Sequence, residues 1–132
     1  MTRPLLRIVV YSLALLLLME SSAIAHHSFA TEYDANKPVT LKGTITKVEW
    51  TNPHIRFYID VKNAKGQVTN WEISGPSVNA LVRNGAKKDS LKLGQSVTVE
   101  GFLARHVDNL ANMKSVKSAD GKLLLDRIGD QQ

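Results

Sequence analysis

Hydrophobic and polar residues alternate along most of the chain beyond residue 38, which is the pattern of half-buried β-strands. In the first such segment the apolar positions are odd-numbered up to Ile45, and they become even-numbered at Val48 and Trp50. One extra residue near Thr46–Lys47 must therefore be accommodated, which predicts a β-bulge. The clearest strand comes next, with four apolar residues toward the core: Ile55, Phe57, Ile59 and Val61.

The segments that follow predict a hairpin, a short helix and further strands. A turn at residues 63–66 leads into a strand at residues 68–74. Ser77 is suited to cap a helix that stops at Gly85, because a serine hydroxyl can accept a hydrogen bond from the first helical turn. Three more strands are indicated after the helix, at residues 97–103, 111–117 and 122–125.

Three strands, one helix and further strands predict an all-β domain with one short helix, of the OB-like small Greek-key β-barrel type. The helix is expected between the third and fourth strands, where it closes one end of the barrel. The alternatives are an open β-sandwich and a lipocalin-like fragment. We place the barrel domain at residues 39–126, an extended N-terminal arm at residues 26–38 and a flexible tail at residues 127–132.

Residues 1–25 have the organisation of a secretory signal peptide. Two arginines precede an apolar run at residues 8–19, and small residues form an A-x-A cleavage site at residues 23–25. The run is shorter than the roughly 20 residues that a membrane span needs, so cleavage before His26 is expected rather than retention as an anchor. The mature protein is then periplasmic or secreted, with no stable membrane span.

The amino-acid composition excludes several kinds of chemical site. The chain has no cysteine, which excludes disulfides, thiolate metal sites and thiol catalysis. Its formal net charge of +5 comes from scattered lysines and arginines rather than from a basic run. Together with export, this scatter favours a solvated surface and predicts no nucleic acid among the partners. The expected partners are an unknown small ligand, a metal ion or an envelope protein.

Short motifs run through almost the whole mature part: HHSFA at residues 26–30, VTLKGT at 39–44, VEWTNPH at 48–54, TNW at 69–71 and VTVEG at 97–101. With these motifs the chain resembles a family of small exported bacterial proteins of unknown function. The resemblance implies an exported OB-like domain and brings no established activity. Ala86 stands where the family leads us to expect an aromatic residue, so the region after the helix is expected to pack or bind differently.

Three histidines lie where a buried core would not place them: His26, His27 and His54. After cleavage, His26 offers a terminal amine and an imidazole that together form a chelate, and a distant imidazole could complete the nitrogen set. Copper(II) is the favoured metal and zinc is second, because nitrogen donors suit both and no thiolate is present. The alternative is a disordered polar tip, with a His54 that hydrogen-bonds only within its turn.

Arg56 and Tyr58 alternate with the core residues of the second strand and therefore point outward. There they could contact a sugar, a peptide or an anion, which predicts a ligand-binding surface without metal. Trp50 and Trp71 are expected to pack in the core. No nucleophile elbow, paired-carboxylate cleft or phosphate-cradling glycine loop occurs, so we expect a binding module and not an enzyme. A copper oxidase built on His26 is the remote alternative.

Overall fold

The structure, a computed structural model, describes residues 29–127. Its strands are β1 (Tyr33–Glu49), β2 (Arg56–Lys62), β3 (Val68–Ser74), β4 (Ser96–Ala104), β5 (Leu110–Ser118) and β6 (Leu123–Asp126). Helix α1 (Val78–Arg83) lies between β3 and β4, and residues 29–32 are also helical. Within residues 29–127 no helix is long and apolar enough to cross a membrane.

The strands close into a barrel. They are hydrogen-bonded in the order β3-β2-β1-β4-β5-β6, and a parallel pairing of β3 with β5 joins the sheet to itself. β1 is long enough to pair with β4 through its first half and with β2 through its second half. This strand order, with α1 between β3 and β4, is that of an OB-type barrel, so the predicted fold class is confirmed. β6 extends the ring as the second strand of a hairpin with β5.

The change of phase in β1 is a β-bulge, as predicted. The ladder between β1 and β2 passes from Ile45 to Lys47 and leaves Thr46 without a partner. Just before the bulge, an ideal Cβ on Gly43 would lie only 2.6 Å from the backbone carbonyl oxygen of Asp60. Because any side chain there would overlap the backbone of β2, this close strand contact requires glycine.

Helix α1 starts and stops by the predicted local chemistry. The Ser77 hydroxyl accepts a hydrogen bond from the Ala80 amide at 3.2 Å. Gly85 follows the helix with a φ of 88°, and its amide donates to the Val82 carbonyl at 3.0 Å. Leu81 is the buried residue of the helix and anchors it to the barrel core.

The core takes residues from the strands, one residue of α1, and the loop residues Ile55 and Leu91. Its largest fully buried side chains are Phe57, Ile45, Ile55, Ile59, Ile73, Leu81, Met113, Leu125, Val99 and Val116. Trp50 and Trp71 are half-buried and pack against this core, as predicted. Because β2 turns Phe57 and Ile59 inward, Arg56 and Tyr58, which alternate with them, face outward.

The first strand begins earlier than the pattern predicts, at Tyr33 rather than at Val39. Tyr33 is buried and pairs with Ala104 of β4, so residues 33–38 of the predicted arm belong to the barrel. Residues 29–32 are helical where an extended arm was predicted. A run of exposed residues after Tyr33 hides the start of the strand, because it breaks the alternation that marks the rest of β1.

Other predicted segments are only partly described. In the predicted tail, the Arg127 amide donates to the Lys114 carbonyl at 3.0 Å, so this residue is fixed against β5. The predicted signal peptide at residues 1–25, residues 26–28 of the arm and residues 128–132 of the tail lie outside the described residues.

Candidate functional site

Five charged or aromatic side chains lie together on the outer side of β1, β2 and β3. Two are the predicted ligand residues of β2, and the others come from the strands on either side. We call this set the β2 face: Lys47, Glu49, Arg56, Tyr58 and Glu72. Register explains the grouping, because residues directly opposite each other on paired strands have their side chains on the same side of the sheet.

Arg56 is held against its neighbour on β3. Its Nε lies 3.4 Å from Oε1 of Glu72, and the two side chains are 57% and 33% exposed. At such exposure water screens the ion pair, which therefore adds little stability and mainly orients the guanidinium. Within residues 29–127 Arg56 forms no ion pair with a second carboxylate, so its terminal N–H groups are available to a ligand.

The ammonium group of Lys47 lies over the ring of Tyr58. Nζ of Lys47 lies 5.1 Å from the ring centroid, within the range of a cation–π contact. The same Nζ lies 2.5 Å from Oε1 of Glu49. The hydrogen bond and the negative charge of Glu49 raise the pKa of Lys47 above its usual value, so the ammonium stays charged above the ring.

Hydrogen bonds across three strands fix the sheet beneath this face. The Asn70 side-chain amide donates to Oδ1 of Asp60 at 2.7 Å and to Oγ1 of Thr46 at 3.2 Å. The Thr46 hydroxyl in turn donates to the backbone carbonyl of Tyr58 at 3.3 Å. The bulge residue thus links β1 to its neighbour β2 and, across it, to β3, which fixes the backbone that carries Tyr58.

Two loops border the β2 face at its Arg56 end. In the loop before β2, Oδ1 of Asn52 accepts a hydrogen bond from the Val78 amide at 3.0 Å, which ties the loop to the start of α1. In the loop before β5, the Asn109 carbonyl accepts from the Glu72 amide at 2.9 Å. OB barrels bind ligands on the surface of β2 and β3 between these two loops. The β2 face therefore lies on the surface that binds ligands in such barrels.

The predicted metal site is only partly visible. His54 is exposed in the loop before β2, whereas His26 and His27 lie outside the described residues. In the part of the chain that the structure describes, no three His, Asp or Glu side chains are grouped so that they could hold a metal ion. Copper(II) at these histidines, with zinc second, therefore stays a prediction.

The sequence pattern did not predict the side chains that contact Arg56 and Tyr58, which are Glu72 and Lys47. Glu72 had the pattern of an ordinary surface residue, yet the hairpin places it opposite Tyr58 and within reach of Arg56. The turn at residues 63–66 was a usable signal, because turn geometry fixes the register of a hairpin. The bulge in β1 was predicted, but it does not by itself place Lys47 opposite Tyr58, because that position also depends on the register between β1 and β2.

Comparisons with known proteins bear on family and fold. A model of a family of unknown function (DUF6152) matches residues 14–111. No curated protein sequence matches the chain. Among solved structures, the N-terminal domain of PriB from Thermoanaerobacter tencongensis is similar at 21% identity and a TM-score of 0.49, covering 64% of this chain and 97% of that one. The mitochondrial single-stranded DNA-binding protein Rim1 of S. cerevisiae is similar at 16% identity and a TM-score of 0.48, covering 68% and 95%.

These structures correct one prediction from the sequence. Nucleic acid was excluded from the partners because the charges are scattered and export is expected. The comparisons contradict that exclusion, because one of the similar structures is a single-stranded DNA-binding protein. Scatter along the sequence is a poor guide here, since folding can gather distant charges on one surface. The likeness itself concerns the fold alone and does not say what this chain binds.

Proposed function

The chain belongs to DUF6152, a family of unknown function, and we propose that it is an exported, non-enzymatic module that binds a polar ligand on its β2 face. The observation that carries this proposal is the pairing of Arg56 with Glu72 beside a Tyr58 ring that carries the Lys47 ammonium. These contacts hold exposed recognition groups in place before any ligand arrives, which lowers the entropy that binding must overcome.

Charge on the β2 face favours a ligand with both hydrogen-bond donors and acceptors. Two basic groups, Lys47 and Arg56, are matched by two acidic ones, Glu49 and Glu72. A ligand can use the guanidinium as a donor and the carboxylates as acceptors, while Tyr58 offers an apolar edge. Sugars, peptides and exposed nucleotide bases all present such mixed groups.

The proposed location and the proposed lack of catalysis rest on the sequence. Export is supported by the apolar run at residues 8–19 and the A-x-A motif at residues 23–25. A binding role without chemistry is supported by the lack of a recognisable catalytic motif in the sequence. The ligand then belongs to the periplasm or to the medium outside the cell.

We expect Arg56→Ala and Tyr58→Ala each to weaken ligand binding about tenfold, the usual cost of removing an arginine or aromatic anchor. The probes are an oligodeoxythymidylate, a maltooligosaccharide and a mixed-charge peptide, each titrated into ¹⁵N-labelled exported protein. At least one should shift the backbone amides of residues 56–60 and 70–74 saturably in NMR spectra.

Arg83→Ala is the matched control, because Arg83 is an exposed arginine on α1 and lies off the β2 face. It should bind the probe as the unaltered protein does. The proposal is wrong if all three probes leave these amides unmoved, or if the Arg56 and Tyr58 variants bind as tightly as the control.

Copper(II) binding is a second candidate function, favoured by an exposed His54 on a loop that the Asn52–Val78 hydrogen bond holds in place. In protein whose first residue is His26, we expect tight binding that His26→Ala abolishes. His54→Ala should weaken it by at least the roughly 10- to 100-fold that loss of a supporting partner costs a metal site. Calorimetric titration with copper(II) measures both.

His106→Ala is the control for the copper experiment, since His106 lies in the loop before β5 and has no part in the hypothesis. It should bind copper(II) normally. A glycine added ahead of His26 moves the terminal amine away from the imidazole. If affinity is unchanged by that addition, or by His54→Ala, the proposed ligand set is wrong.

A further inference from the structure

A concave surface separate from the β2 face lies at the other end of β2 from Arg56. It is a groove of about 560 Å³ that crosses β1, β2 and β4, which is within the range of small-molecule sites. The polar side chains that line it are Lys42, Thr44, Asp60, Lys62, Ser96 and Thr98. Gly43 contributes bare backbone to the floor, so the groove owes part of its depth to the close contact of β1 with β2.

Two lysines line this groove on the neighbouring strands β1 and β2. Thr44 pairs with Asp60, and Lys42 and Lys62 lie two residues further along each strand on the same side of the sheet. Both lysines are exposed, and within residues 29–127 neither forms an ion pair. Their charges repel each other, and an anion between them would remove that repulsion.

The single carboxylate of the lining is already engaged. Oδ1 of Asp60 accepts the hydrogen bond from Asn70 at 2.7 Å. The groove thus combines two lysines with one carboxylate, whereas on the β2 face each basic group has its own acidic partner. The two surfaces have different charge balances and should select different ligands.

Hydroxyl groups complete the lining. Thr44 is paired with Ser96, and Lys42 with Thr98, so three hydroxyl-bearing residues lie beside the lysines. Among the described residues none of these three hydroxyls takes part in an internal hydrogen bond, so each can bond to a ligand. Val68, which is 52% exposed, provides an apolar surface for the C–H groups of a ring.

We propose that this groove binds a small polyol that carries a phosphate monoester, of the size of a sugar phosphate. A phosphate monoester has a charge of about −1.5 to −2 near pH 7, which two lysines can balance. The free hydroxyls of Thr44, Ser96 and Thr98 match the many hydroxyls of a polyol. A plain inorganic anion would leave most of these hydroxyls without a partner.

Glucose 6-phosphate is the probe, titrated into ¹⁵N-labelled protein with glucose and inorganic phosphate as separate arms. We expect saturable shifts of the amides of Gly43, Thr44 and Thr98, with glucose 6-phosphate binding more tightly than either fragment. Lys42→Gln and Lys62→Gln should each weaken binding about tenfold, because each removes a hydrogen bond to a charged group.

Lys65→Gln is the matched control, since it removes an equal charge from the neighbouring turn outside the groove. Its affinity should match that of the unaltered protein, and so should that of Arg56→Ala, which separates this site from the β2 face. The proposal is overturned if the groove amides do not shift saturably, or if all three lysine variants weaken binding equally. It is also overturned if inorganic phosphate binds as tightly as glucose 6-phosphate.

Discussion

Replacing Gly101 by alanine is expected to lower the free energy of unfolding by about 3 kcal/mol or more. Gly101 is buried in β4, and an ideal Cβ there would lie 2.1 Å from the backbone carbonyl oxygen of Asn112 on β5. That carbonyl belongs to a strand that pairs with β3, β4 and β6, so it cannot move aside alone. The added methyl group must therefore push two strands of the barrel apart.

Urea denaturation of the two proteins measures this loss of stability. Gly66→Ala is the control: Gly66 has a φ of 79° and no atom within 4 Å of its ideal Cβ, so only backbone strain of about 1–2 kcal/mol is expected. If Gly101→Ala costs no more than Gly66→Ala, the close approach of β4 to β5 is not the constraint that we infer.

Phe57→Ala is expected to cost about 3–5 kcal/mol, the usual result of emptying a fully buried aromatic site. Phe57 is 0% exposed and lies in the middle of the barrel core. A domain of this size has a total stability of about 5–15 kcal/mol, so the variant should fold with little margin. Because Phe57 lies between Arg56 and Tyr58, its burial also fixes the side of β2 on which those two residues stand.

Chemical denaturation followed by tryptophan fluorescence measures the loss, since Trp50 and Trp71 pack against the same core. Phe57→Leu is the control, because it keeps an apolar group in the site and should cost clearly less. Equal losses for the two variants would show that core volume at this position does not limit stability, and would contradict the prediction.

Local chemistry made much of the fold predictable. The alternation of apolar and polar residues predicted the second strand. The change of phase in the first strand predicted the bulge at Thr46, because a strand with a period of two residues cannot include an extra residue without one. Ser77 and Gly85 gave the limits of α1, because capping depends on side chains within one turn of the helix. The outward direction of Arg56 and Tyr58 followed from the same alternation.

Contacts between distant strands were not predictable in this way. The position of Lys47 beside Tyr58 depends on a bulge, and the start of β1 at Tyr33 depends on pairing with β4. The local pattern shows the bulge, but it does not show which residue of β2 then lies opposite Lys47, nor that Tyr33 pairs with β4. The error about nucleic acid has a similar origin, because a count of charges along the chain does not say which of them share a surface.

The sequence by itself determined which residues face the core, where the bulge and the helix fall, and that Arg56 and Tyr58 point to solvent. These properties depend on the backbone period and on neighbours within a few residues. Only the tertiary structure decided the parallel closure of β3 on β5, the pairing of Arg56 with Glu72 and the groove that Lys42 and Lys62 line. Those features require strands far apart in the chain to meet in one register, which barrel closure sets and local propensity does not.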